Sequence, residues 1–214
     1  MPSFGFSAFL KLLSLTDRRQ LSELRKRLAP SDGGYDFHRG FRLLANRYLS
    51  RGETLADLLA EADGFANPAE ARSARAALEY LSEWRVDFPG ELMAFEPRTF
   101  ESPDGRFKVR FTPDFGINIA GQTVAVHIWK TLRPDLDARM TYAAMSLFPP
   151  AFAGHANAPD DLAVLSVLNG RLYRLSDVPD HSLLASRVVA ALDARLEELG
   201  GGRPPAPPPA TISP

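Results

Sequence analysis

Cysteine is absent from this chain of 214 residues, which excludes disulfides and cysteine-ligated zinc and is compatible with a reducing cytoplasm. Histidine is scarce. His38, His127, His155 and His181 show no HxxxH or HxH spacing, so a zinc site would need the fold to gather them. No apolar run approaches the ~20 residues that span a bilayer, and no membrane partner is expected. A formal net charge of -1 argues against broad electrostatic attraction to DNA while leaving room for a local basic groove. The apolar start, MPSFGFSAFLKLLSL, lacks a basic leader and an A-x-A cleavage pattern and reads as a helix. There is no G-x-S-x-G elbow, P-loop, dinucleotide glycine fingerprint or internal repeat.

What is present is an ordinary globular composition on a chain long enough to bury a proper core. Residues 1–87 read as helical. Phe6, Phe9, Leu10 and Leu13 share one face, with Thr16 or Asp17 as the next cap. A second helix, about Asp17 to Ala29, buries Leu21, Leu24 and Leu28 and leaves Arg18, Arg25, Lys26 and Arg27 largely off that face. Pro30 and Gly33-Gly34 end it. A third, about Asp36 to Leu49, carries Phe37, Phe41, Leu44 and Tyr48 at helical spacing, and a short helix follows from Thr54 to Ala62. Asn67-Pro68 opens a helix to about Arg85, because Asn caps and Pro needs no N–H in the first turn.

After Phe88-Pro89-Gly90 the texture changes to short alternating runs, the strand signature. Arg106 to Phe111 places Phe107, Val109 and Phe111 on one face and Arg106, Lys108 and Arg110 on the other. Two adjacent strands lie within Phe111 to Lys130, with a turn at Ala120-Gly121. Pro134 opens a helix that Pro149-Pro150 stops, and Leu162 to Leu168 turns at Asn169-Gly170 into Arg171 to Leu175. A last helix spans about Asp180 to Leu199, and the proline-rich segment 200–214 cannot form a core and is expected to be disordered or polyproline-like. The expectation is an α+β or α/β chain: a helical region 1–87, then a mixed sheet flanked by helices over 88–199, its first core helix at 68–85.

This order, together with Pro113-Asp114 and the strand-ending Lys130, resembles the PD-(D/E)xK, or restriction-endonuclease-like, superfamily over about residues 68–175. The resemblance implies Asp114 as a catalytic carboxylate and Mg²⁺ ligand, and Lys130 as the lysine that orients water and stabilises developing charge. Strand alternation sets Ile128 and Lys130 on one face, and His127 and Trp129 on the other. Ile128 therefore stands where the family has Asp or Glu, and an alkyl group cannot ligate Mg²⁺. Either the carboxylate has moved, with Glu79, Glu83, Glu91, Asp135 and Asp137 as candidates, or the site has decayed and the fold serves for binding.

His127 reads as a satisfied buried or edge histidine, and Arg106, Lys108 and Arg110 as either a solvated sheet face or a nucleic-acid-binding row. Along the strand they project at about 6–7 Å intervals, close to the phosphate spacing of one strand. The functional expectation is a non-catalytic, cytoplasmic module, associated with nucleic acid or a protein partner, on a degenerate nuclease-like fold. The alternatives are a Mg²⁺-dependent nuclease with a relocated carboxylate and a helical DNA-binding or regulatory protein using Arg39, Arg42 and Arg47.

Overall fold

Helix-forming and strand-forming segments alternate in the computed structural model, which describes residues 1–29 and 37–201. The expectations for Pro30, for Gly33-Gly34 and for the proline-rich segment beyond Gly201 lie outside those residues. Strand β1 (Ser3–Gly5) leads into helices α1 (Phe6–Leu13), α2 (Asp17–Leu28), α3 (Arg39–Arg51), α4 (Leu55–Asp63) and α5 (Pro68–Asp87). Strands β2 (Leu92–Met93), β3 (Arg98–Glu101), β4 (Lys108–Phe111), β5 (Phe115–Ile119) and β6 (Gln122–Trp129) follow. Then come α6 (Ala138–Met145), α7 (Pro149–Phe152), β7 (Asp161–Ser166), β8 (Arg171–Arg174) and α8 (Ser182–Gly201). The α+β class, with mixed sheets flanked by helices, is as the sequence implies.

Local chemistry explains most of the boundaries. Asn67 accepts from the backbone N–H groups of Ala69 and Glu70 ahead of Pro68, so α5 begins where the cap and proline pattern requires. Helix α6 begins at Ala138 rather than at Pro134, because the Asp137 carboxylate accepts the Met140 N–H and fixes the cap there. Pro149-Pro150 does not only stop a helix; it forms the first turn of α7. The turn between β5 and β6 uses two residues with positive φ, Ala120 at 51° and Gly121 at 85°, the hand that suits a two-residue hairpin.

Two sheets result, ordered β1-β4-β3 and β2-β5-β6-β7-β8. Strands β5 and β6 pair antiparallel, β6 and β7 pair parallel across the α6–α7 connection, and β7 and β8 close as the antiparallel Asn169-Gly170 hairpin. The extra strand β1 pairs parallel with β4, joining Gly5 to Arg110; three residues, Ser-Phe-Gly, inside an apolar helical pattern carry no strand signal of their own.

The larger sheet divides the apolar interior. One cluster holds Phe6, Phe9, Phe107, Phe111, Trp129 and Phe148 with α8 residues such as Leu192. The other holds Phe41, Leu44, Leu78, Trp84, Val126, Ile128 and Leu165. The helices before residue 88 thus split between both faces, α1 and α2 joining the first cluster and α3, α4 and α5 the second. The change of texture at Phe88 is a change of secondary structure, and the hydrophobic interior runs across it. Each fully buried large apolar side chain contributes about 1.5–3 kcal/mol, so α1, with five buried residues in eight, is firmly seated on β4 and β6.

Candidate functional site

The parallel pairing of β1 with β4 sets the start of α1 beside the stretch from Arg110 to Asp114 and against the outer end of β6. An open cleft of about 740 Å³ lies there, lined by Gly5, Phe6, Ser7, Ala8, Lys11, Arg27, Phe37, His38, Arg42, Arg110, Thr112, Asp114, His127 and Thr131. Among the described residues its lining carries Lys11, Arg27, Arg42 and Arg110 against one carboxylate, that of Asp114. Lys11, Arg27 and Arg110 make no ion pair among the described residues, and Arg27 lies 5.8 Å from the centre of the Phe4 ring. A second hollow, of about 530 Å³, shares Lys11 and adds Arg19, Arg133 and Asp135, so the basic surface continues beyond the cleft.

Three side chains on the floor of the cleft form a chain. Ser7 Oγ is 2.7 Å from His127 Nε2. His127 Nδ1 is 3.1 Å from Asp114 Oδ2 and 3.2 Å from the carbonyl oxygen of Thr112. The backbone N–H of Ile128 donates to Asp114 Oδ2 at 2.7 Å. His127 is buried, and the rings of Phe6 and Phe111 pack on it at centroid distances of 5.3 and 6.1 Å. The expectation that His127 is a satisfied histidine accords with these bonds; its connection to Ser7, 120 residues away, is not visible in sequence.

Asp114 and Lys130 are not brought together. The Asp114 carboxylate belongs to the His127 side of β6, whereas Lys130 Nζ lies 4.4 Å from the centre of the Phe41 ring, in the opposite cluster. Residues 127 and 130 differ by an odd number along an extended chain, which places their side chains on opposite faces. Lys130 is only 5 % exposed, and its ammonium has no hydrogen-bond partner among the described residues. Burial pulls its pKa down to about 8, with the Glu70 carboxylate opposing and the Arg42 guanidinium assisting that shift.

The donor set does not suit Mg²⁺. Asp114 Oδ2 is already occupied by a backbone N–H and the imidazole, the Ile128 side chain offers no oxygen, and among the described residues no three His, Cys, Asp or Glu side chains converge. Arg75 bonds Glu79 on the exposed side of α5, and Asp137 caps α6. Of the row Arg106, Lys108 and Arg110, whose strand begins only at Lys108, Arg110 alone is among the described cleft residues. Arg106 pairs with Glu197 at 2.6 Å and Lys108 with Glu101 at 2.8 Å. On α3, Arg47 is held by Glu53 and Glu61, each at 2.6 Å, so Arg39, Arg42 and Arg47 do not present one free basic face.

Sequence reading missed Ser7, Lys11 and Arg27, and singled out Arg42 only with Arg39 and Arg47 on one helix, not as part of this cleft. Lys11 and Arg27 look like the solvated sides of amphipathic helices, and nothing local distinguishes them from Arg18 or Arg25. No family model and no curated protein matches this chain. The solved structures it is similar to include one described as "Crystal structure of SSO0001", at 14% identity over 88% of this chain and 84% of that one. Its TM-score is 0.34, a likeness that carries no argument about fold or activity.

Proposed function

We propose that the chain is a nucleic-acid-associated binding module that seats a single strand in the cleft between α1, the start of α3 and strands β4 to β6. The observation that carries this reading is the charge of the lining: among the described residues Lys11, Arg27 and Arg110, none of them in an ion pair there, face one carboxylate that is bonded internally. Phe37, half-buried at the rim, supplies an aromatic face. A cationic groove with an aromatic platform is the combination that binds single strands without base readout. Near-neutral overall charge confines the attraction to this place, so affinity is modest and salt-sensitive.

The arrangement β5-β6, crossover helix, β7 supports a nuclease-like ancestry by topology. Ile128 and the separated Asp114 and Lys130 favour binding over metal-dependent cleavage on such a core.

Fluorescence anisotropy with labelled single-stranded oligonucleotides tests the reading. The combined Lys11→Ala, Arg27→Ala and Arg110→Ala variant is expected to bind at least tenfold more weakly than the parent. Arg106→Ala with Lys108→Ala, removing cations already held by Glu197 and Glu101, leaves affinity nearly unchanged. Equal affinity of the cleft variant and the parent overturns it.

A further inference from the structure

We propose that Ser7, His127 and Asp114 form a nucleophile, base and positioning carboxylate, and that the cleft floor cleaves carboxylic esters bearing an anionic group. The proposal goes beyond strand binding and does not depend on it. Its first support is the order of the contacts. Ser7 Oγ lies 2.7 Å from His127 Nε2, and the far ring nitrogen faces Asp114 Oδ2 at 3.1 Å. A hydroxyl, an imidazole and a carboxylate in that sequence, each within reach of the next, satisfy the geometric roles of an activated nucleophile, on whatever fold they occur.

The second support is the tautomer. Both partners of Nδ1, the Asp114 carboxylate and the Thr112 carbonyl, are acceptors only. Nδ1 therefore carries the proton, and Nε2 of the neutral ring presents its lone pair to the Ser7 hydroxyl. Asp114 is itself fixed by the Ile128 N–H at 2.7 Å, and Phe6 and Phe111 hold the ring edge-on and tilted. A tether between α1 and β6 needs only one of these bonds. A chain that sets proton location at each step does more than fasten two elements.

The third support is position. Ser7 stands in the first turn of the eight-residue helix α1, and the N-cap Gly5 offers no side-chain acceptor to the N–H groups there. A carbonyl oxygen entering from the cleft meets those donors at the positive end of the helix. A Cβ built on Gly5 meets nothing within 4 Å, so the approach beside Ser7 is open. Lys11, Arg27 and Arg110 then select substrates with a phosphate or carboxylate on the acyl or alcohol portion.

The chemistry closes without a cofactor. Ser7 Oγ bonds to the carbonyl carbon while its proton passes to His127 Nε2. The C–O bond to the alcohol breaks, and the departing oxygen takes that proton. Water repeats the sequence: its oxygen attacks the acyl carbon, His127 accepts its proton and returns it to Ser7 Oγ, and the carboxylic acid leaves.

An alkyl fluorophosphonate, which is neutral and phosphonylates activated serines with loss of fluoride, is the probe. Incubation of the full chain, digestion and mass spectrometry are expected to place the adduct on Ser7. Labelling is lost in Ser7→Ala and slowed at least a hundredfold in His127→Gln, with thermal melting confirming that each variant is folded. Asp114→Asn is expected to move the ring proton to Nε2, read from the two imidazole ¹⁵N shifts, and to slow labelling with it. No adduct on Ser7 of the folded parent overturns the proposal, as does a labelling rate indifferent to His127→Gln. Because the probe has no charge and the oligonucleotides carry no carboxylic ester, either result stands whatever the other shows.

Discussion

Lys130 shows most clearly how one residue can be legible in position and misread in role. Its place at the end of a strand and its shared face with Ile128 follow from alternation, and both face the cluster around Phe41. What alternation cannot give is the neighbour across the turn. The β5–β6 register places Phe115 opposite Val126 and leaves Asp114 to bond on the His127 side. The buried ammonium carries a pKa lowered to about 8, chiefly by burial, against about 10.4 for an exposed lysine. Between those values the unfolded chain binds more protons than the folded one, so stability rises with pH across that window. Urea unfolding of the parent and of Lys130→Met is expected to show the variant more stable at pH 7, with the gap narrowing by pH 10. A gap independent of pH contradicts the assignment. Ser7 marks the opposite limit, since its partner is 120 residues away and only the packed fold reveals it.

Elements join through a few residues whose substitution tests the packing directly. Asp161, at the start of β7, accepts from Arg174 Nε at 2.9 Å, Ser176 Oγ at 2.7 Å and the backbone N–H groups of Leu162 and Ser176. It is 5 % exposed and fastens the β7–β8 hairpin to the turn leading into α8. Asp161→Ala leaves the half-buried Arg174 without its ion-pair partner and is expected to cost about 3–5 kcal/mol in chemical unfolding. Gly90 tests β2. A Cβ there would come within 1.9 Å of the Asn118 carbonyl oxygen, which is backbone and cannot swing aside. Gly90→Ala is expected to cost roughly 1–3 kcal/mol and to speed amide exchange along β2 and β5. A neutral effect would mean that β2 does not lie against β5 as described. At this scale the helices were largely legible, because caps such as Asn67-Pro68 and the apolar spacing of α5 are local signals. Strand β1 was not, because three residues gain strand character only from pairing with β4.

At the scale of the molecule, the proposed function rests on convergence rather than on any one motif. The cleft draws Lys11 from α1, Arg27 from α2, Arg42 from α3 and Arg110 from β4, four elements whose charges look like ordinary solvated faces when each is read alone. The total charge of -1 conceals their concentration, which is why composition pointed away from nucleic acid while leaving a local groove open. The salt dependence of oligonucleotide affinity tests this convergence most directly. For a single strand each phosphate neutralised contributes about 0.7 to the slope of log affinity against log salt. The parent is expected to show a negative slope that shrinks by about that amount when Arg110 is replaced by Ala, with Arg106→Ala matching the parent. A slope near zero for the parent, or one unmoved by Arg110→Ala, would contradict the cleft as a phosphate-binding site.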